Sequence, residues 1–146
     1  MPKRIIGNII AGRPLISAGK STTVRAACCL MAEKKIGALL VIEGGEIAGI
    51  FTERDALNKV LAGSLDPDST PLEKVMVTHP LTIRADKPLA YALYMMAEGG
   101  FRHVPVIDEN GAPLGMVSSR DALGQDMVDL EHDLQMRDQI ENSLGY

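Results

Sequence analysis

Two short segments place a hydroxyl and a carboxylate at the same spacing, Thr52-Glu53-Arg54-Asp55 and Ser118-Ser119-Arg120-Asp121. A carboxylate can accept hydrogen bonds from two neighbouring hydroxyl donors, and a hydroxyl beside the free N–H groups of a helix start can meet an anion. The same spacing fits a helix-capping pattern close to the Ser/Thr-x-x-Glu box, so ligand contact and capping are both open here and can coexist. Arg54 and Arg120 stand beside each carboxylate and offer forked donors to a phosphate or to an ion-pair partner. Other reactive residues lack companions. His79 precedes Pro80 in a turn, and His132 sits in a charged stretch with Asp129 alone near it, so no metal site is assigned. Gly19-Lys20-Ser21 lacks the earlier glycine of a phosphate-binding loop, since Pro14 occupies that place. Cys28 and Cys29 are adjacent, a spacing unsuited to a Cys-x-x-Cys pair, and are expected as buried free thiols. No nucleophile stands at a recognisable spacing from a base, and an enzyme is not expected.

The elements that must position the two segments are themselves duplicated. An offset of 65 residues lays Val24-Arg-Ala-Ala-Cys-Cys-Leu-Met-Ala-Glu33 on Leu89-Ala-Tyr-Ala-Leu-Tyr-Met-Met-Ala-Glu98, and Val41-Ile42-Glu43 on Val106-Ile107-Asp108. One extra residue in the second copy then moves the offset to 66, where Arg54-Asp55-Ala56-Leu57 meets Arg120-Asp121-Ala122-Leu123. Val24, Ala27, Cys28, Met31 and Ala32 follow one helix face, as do Leu89, Ala92, Leu93, Met96 and Ala97. Short apolar runs at 38–42 and 104–107 predict buried strands. Gly44-Gly45 and Asn110-Gly111 predict tight turns with positive φ, and 47–51 and 114–117 return as second strands. A helix is expected from near Thr52 or Ser118. The breaker-rich Asp66-Pro67-Asp68-Ser69-Thr70-Pro71 marks the join. The expected organisation is a first repeat at 9–64, a linker at 65–78, a second repeat at 79–128 and a helical tail at 129–146. Extended Leu81-Thr82-Ile83 enters the second repeat, and Ile16-Ser17-Ala18 is its weaker equivalent in the first. In the tail, Leu123, Met127, Leu130 and Leu134 form a helical stripe from which Met136 and Ile140 drift while Arg137 takes the next seam position. A short packing or dimer helix is expected rather than a long coiled coil.

At 146 residues, 46% hydrophobic and 23% charged, the chain has the balance of a globular protein with a real core. With no Trp, two Phe and three Tyr, that core must be aliphatic. Each repeat is near the lower size limit for a core of its own, so the two are expected to pack together. The formal charge of −4 argues against non-specific nucleic-acid binding. No run of 18 apolar residues exists, and residues 1–13 lack a signal peptide's apolar stretch, so a cytoplasmic protein without membrane spans is expected.

The order of extended segment, helix, two strands and helix, with Gly49-Ile-Phe-Thr-Glu-Arg-Asp55 and Gly115-Met-Val-Ser-Ser-Arg-Asp121 at the last strand-to-helix junctions, resembles the cystathionine-β-synthase-type (CBS) domain. The resemblance runs from about Ile9 to Val128, and Leu72-Glu-Lys-Val-Met76 is similar to a segment that often precedes a CBS repeat. It implies an α/β fold of two β-α-β-β-α repeats packed as one pseudo-two-fold module, with an extended C-terminal helix. It also implies a stand-alone, non-catalytic regulatory module. The implied ligand is AMP, ADP or ATP, or else NAD or S-adenosylmethionine, bound in a cleft between the repeats, with no required cofactor. By resemblance Asp55 and Asp121 meet ribose hydroxyls, while Thr52 and Ser118 meet phosphate with Arg54 and Arg120 beside them. Arg102 and His103 face phosphates, and Pro105 belongs to the strand whose backbone meets the base. The entry segment adds Thr82 and Ile83. Because copy one has Gly37-Ala38 and Leu40 where copy two has Arg102-His103 and Pro105, the second site is expected to be the fuller one. Output is expected through homodimerisation or an unknown effector protein.

Overall fold

The computed structural model describes residues 4–145, the side chains of 125–129 and 131 excepted; Met127 of the tail stripe and Asp129 beside His132 thus lie outside the described residues. The first repeat runs β1 (Ser17–Ala18), α2 (Val24–Lys34), β2 (Ala38–Glu43), β3 (Glu46–Thr52) and α3 (Glu53–Asp55), after a leader helix α1 (Ile6–Ile10). The second follows β4 (Val77–Thr78) and runs β5 (Ile83–Arg84), α4 (Leu89–Gly99), β6 (His103–Ile107) and β7 (Pro113–Ser118), then a 3₁₀ turn and α5 (Gly124–Ser143). The fold is therefore the expected pair of β-α-β-β-α repeats with a long final helix.

Each repeat carries its own sheet, ordered β1-β2-β3-β4 and β5-β6-β7. In both, the entry strand is parallel to the first hairpin strand and the hairpin is antiparallel, with Leu40 opposite Ile50 and Pro105 opposite Met116. The helices bury the face that periodicity assigns them, Val24, Ala27 and Met31 in α2 and Leu89, Ala92 and Met96 in α4. Both stop on a left-handed residue, Lys35 at φ 55° and Gly100 at φ 70°. The first hairpin turns through Gly44 and Gly45, both at positive φ. In the second only Gly111 is left-handed; Asp108 Oδ1 accepts from the Asn110 and Ala112 N–H groups at 2.8 and 2.9 Å, which builds the wider turn that holds the extra residue. The cysteine expectation is corrected. Cys29 is exposed and Cys28 half-buried, because one step along a helix rotates a side chain about 100° off the apolar face.

The repeats exchange their leaders. Ile6 and Ile10 of α1 enter the core of the second repeat beside Leu89, Val104 and Val117. Leu72 and Val75, from the 3₁₀ turn that precedes the second repeat, enter the core of the first beside Val24, Leu39 and Phe51. The backbone bonds are paired in the same way: Val24 N–H donates to Thr70 O at 2.9 Å and Leu89 N–H to Arg4 O at 2.7 Å, while Leu72 N–H donates to Thr22 O at 2.8 Å and Ile6 N–H to Lys87 O at 3.0 Å. A buried Leu or Ile side chain is worth about 1.5–3 kcal/mol, so each leader is a structural part of the repeat it does not precede. Residues 70–78 thus close a core and add β4 to the first sheet.

The helix expected after Thr52 forms one α-turn and then widens, with Ala62 N–H bonded to Leu57 O and Leu65 N–H to Val60 O five residues back. On α5, Leu130 and Leu134 are 53% and 50% exposed, so the tail stripe is not covered by its own subunit at those positions. Among the described residues no helix is long and apolar enough to cross a membrane.

Candidate functional site

The exchanged leaders leave a cleft of about 1280 Å³ between the repeats. One wall is the end of α2 with the start of β2 and Glu53; the other is β7 with the Ser118-to-Asp121 segment, Arg102 and His103; the leader from Arg4 to Ile16 closes it. Among the described residues six cationic side chains line it, Arg4, Arg13, Lys34, Lys35, Arg102 and Arg120, against the carboxylates of Glu53 and Asp121. On a chain of net charge −4 this is a local concentration of positive charge suited to an anion.

Of the residues singled out from sequence, Arg102, His103, Ser118, Arg120 and Asp121 meet in this cleft. Thr52, Arg54 and Asp55 are outside its lining. Asp55 is buried in a capping box, accepting from the Thr52 N–H and hydroxyl at 3.0 and 3.1 Å while its own N–H donates to Thr52 Oγ1 at 3.2 Å. Its other oxygen pairs with Lys59 Nζ at 3.1 Å. Arg54 Nη1 donates to the Gly100 carbonyl at 3.1 Å. Pro105 and Ile83 are buried, the first in β6 and the second in the core of the second repeat. Thr82 lines a smaller cavity of about 430 Å³ between the two hairpin turns.

The second motif is held differently. Ser118 and Asp121 also form a capping box, with the Ser118 N–H donating to Asp121 Oδ2 at 2.9 Å. The carboxylate then reaches across the cleft to a guanidinium from the leader: Arg13 Nη2 donates to Oδ1 at 2.7 Å and Nη1 to Oδ2 at 3.2 Å. Arg4 Nη1 donates to the Asp121 carbonyl at 2.7 Å, and Gly124, at φ 48°, leaves the room that Arg4 fills, since a Cβ there would stand 2.7 Å from its Cζ. Burial pushes the Asp121 carboxyl up, but the hydrogen bonds from Arg13 and the Ser118 N–H, with the charges of Arg13 and Arg4, outweigh it and hold the group below its ordinary value. Burial pushes the His103 imidazole below its ordinary value, Arg102 adding to this and Glu53 and Asp121 opposing it. A lowered His103 is neutral at neutral pH and can either donate or accept.

Sequence reasoning passed over Arg4, Arg13 and Glu53. A signal for Arg13 was present: Arg13-Pro14 falls on His79-Pro80 at the offset of 66, a basic residue before proline in both leaders. Glu53 stands inside the first motif, and its N–H donates to Gly37 O at 3.0 Å just as the Ser119 N–H donates to Arg102 O at 3.0 Å.

The CBS domain family model matches residues 6–62 and 72–126. A protein with CBS domains from Burkholderia ambifaria MC40-6 superposes with a TM-score of 0.78 at 32% identity, covering 86% of this chain and 95% of that one. A CBS domain protein from Pyrobaculum aerophilum, complexed with AMP, superposes with a TM-score of 0.76 at 25% identity, covering 87% and 96%. Among curated proteins, the meiotically up-regulated gene 70 protein of Schizosaccharomyces pombe is 36% identical over 127 residues, 87% of this chain and 17% of its own length. A 17.7 kDa protein of Acidianus ambivalens is 36% identical over 126 residues, 86% of this chain and 74% of its own. The chain spans less than a fifth of the first curated relatives it matches.

Proposed function

The chain belongs to the CBS domain family as a tandem pair, and from that premise we propose that it is a regulatory module that takes an adenosine-containing ligand in the cleft carrying Ser118 and Asp121. The observation that carries this reading is the cleft itself, where a carboxylate and a hydroxyl at a strand-to-helix junction face an excess of cations across about 1280 Å³. The AMP held by the Pyrobaculum aerophilum protein supports the ligand class. AMP, ADP and ATP are the first candidates, with NAD and S-adenosylmethionine next. Asp121 accepts the ribose hydroxyls, and Ser118, Arg102, His103 and Arg120 serve the phosphate side. Asp55, with Thr52 and Arg54, forms the corresponding but weaker station of the first repeat, while Thr82, Ile83 and Pro105 back the second site from its entry and first hairpin strands without lining the cleft.

Ligand occupancy changes the module's output only if the ligand prefers one arrangement of the repeats. The exchanged leaders provide the connection, because the cleft's Arg4 and Arg13 lie on the segment that also closes the second core. Output passes to a second copy or to an effector protein in the cytoplasm, and the half-exposed Leu130 and Leu134 of α5 favour self-association. The second reading, an interaction module that needs no ligand, draws on the capping boxes that already occupy both motifs.

A thermal-shift panel with AMP, ADP, ATP, NAD and S-adenosylmethionine separates the two. A ligand at 100 times its dissociation constant stabilises the fold by about 2.7 kcal/mol. A shift with at least one ligand that is lost in Asp121→Asn supports the sensor. No shift with any of the five, together with an unchanged dimer by light scattering, supports the interaction module.

A further inference from the structure

We propose that Arg13 makes the cleft selective for adenosine ligands that carry phosphate, by holding the Asp121 carboxylate until a ligand anion takes the guanidinium in its place. This rests on the reading of the cleft as an adenosine-ligand site and adds to it which ligands are admitted and by which residue.

Both oxygens of Asp121 are already engaged, Oδ1 by Arg13 Nη2 at 2.7 Å and Oδ2 by Arg13 Nη1 at 3.2 Å and the Ser118 N–H at 2.9 Å. A ribose brings its two neighbouring hydroxyls to those same oxygens, so it competes with Arg13 for Asp121. The carboxylate side chain is 12% exposed and held on a strand-to-helix junction, whereas the Arg13 side chain is 47% exposed on the connection between α1 and β1. Arg13 is the partner free to move.

Where the displaced guanidinium goes decides the selectivity. Among the described residues the lining also carries Arg4, Lys34, Lys35, Arg102 and Arg120, with Glu53 as the other carboxylate. A neutral ligand such as adenosine breaks a forked, charge-assisted pair and leaves Arg13 among like charges. A phosphate presents the same planar fork with another set of anionic oxygens, so one bidentate pair replaces the other. The exchange is close to balanced for a nucleotide and unfavourable for a nucleoside. The first repeat has no such device: Asp55 takes its cation from Lys59, four residues along the same helical segment.

The test is a calorimetric titration of the full chain with AMP and with adenosine, for wild type, Arg13→Gln and Arg13→Lys. Wild type should favour AMP by at least about tenfold, or about 1.4 kcal/mol. Arg13→Gln should weaken AMP while adenosine binds as well as to wild type or better, so that the ratio collapses; Arg13→Lys, which keeps the charge, should keep AMP the preferred ligand. A ratio that is unchanged in Arg13→Gln, or an equal loss of both ligands, overturns the proposal and leaves the adenosine site standing. A ratio that collapses equally in Arg13→Lys also overturns it, because charge is then not what is read. If neither AMP nor adenosine binds wild type, this proposal falls, and the adenosine reading falls with it when ADP, ATP, NAD and S-adenosylmethionine also fail to bind. Unchanged melting temperatures of the variants confirm that binding, not folding, is being compared.

Discussion

The two repeats share one plan and differ in how each motif carboxylate is neutralised. In the first, Asp55 is satisfied from within its own helical segment, by Thr52 three residues back and Lys59 four residues on. In the second, Asp121 keeps the same capping box but takes its cation from Arg13, 108 residues away on the leader. A carboxylate satisfied locally holds a helix start; one satisfied by the leader ties that start to a segment 108 residues away. Duplication thus supplies the same group twice, and divergence around it pairs one copy within its own repeat and the other across the cleft.

The hydrophobic cores offer the largest test of that comparison. Phe51 and Val117 occupy equivalent positions of β3 and β7, and both are fully buried. Phe51→Ala should cost about 3–5 kcal/mol, with Val117→Ala costing less, measured by chemical denaturation. Because each leader closes the opposite core, both variants should still unfold in a single transition seen alike by fluorescence-free probes such as circular dichroism and by calorimetry. Two separate transitions would show that the exchanged leaders do not couple the repeats.

A smaller effect is expected at the glycine of each motif. A Cβ on Gly49 would stand 2.7 Å from both Met76 Sδ and the Val77 carbonyl oxygen, because β4 pairs alongside Gly49 and Met76 leads into it. A Cβ on Gly115 would meet Ile10 Cδ1 at an ordinary 3.5 Å. Gly49→Ala should therefore destabilise by about 1–3 kcal/mol, and Gly115→Ala should stay within about 0.5 kcal/mol of wild type. Equal losses would mean that the two leaders press on their sheets alike.

Acidification should act mainly through the second repeat, where His103 stands in place of Ala38. The folded His103 pKa lies below its unfolded value, so the unfolded chain takes up the proton first and stability falls as pH drops through about 6.5. Asp121, lowered in the fold, contributes stability that is present above its unfolded pKa and is lost as pH falls through its folded pKa. Melting temperatures between pH 8 and 5 should show a decline that His103→Ala flattens. Lys59→Met removes the cation paired with the buried Asp55 and the donor to the Val75 carbonyl at 2.8 Å, and should destabilise by about 1–3 kcal/mol in chemical denaturation.

Much of this was legible in the residues. The 65-to-66 offset located both helices and both hairpins, because helix and strand periods depend on local spacing, and the extra residue falls in the Asp108-to-Ala112 turn. The difference at Gly37-Ala38 against Arg102-His103 was visible too, and all four residues line one cleft. What periodicity could not reach was long-range. The leader exchange turns 70–78 from an apparent connection into part of a core, and only tertiary packing decides on which sheet Leu72 lies. Arg13 was passed over for the same reason: its partner lies 108 residues away, and no local pattern encodes that pairing.

The central claim, that the repeats are alike in fold and unequal in binding, is tested most directly by the stoichiometry of AMP binding to wild type, Asp55→Asn and Asp121→Asn, in which the amide oxygen preserves a capping acceptor. Calorimetry should find one tight site per chain in wild type and in Asp55→Asn, and its loss in Asp121→Asn. A tight site that survives Asp121→Asn and disappears in Asp55→Asn would contradict the account.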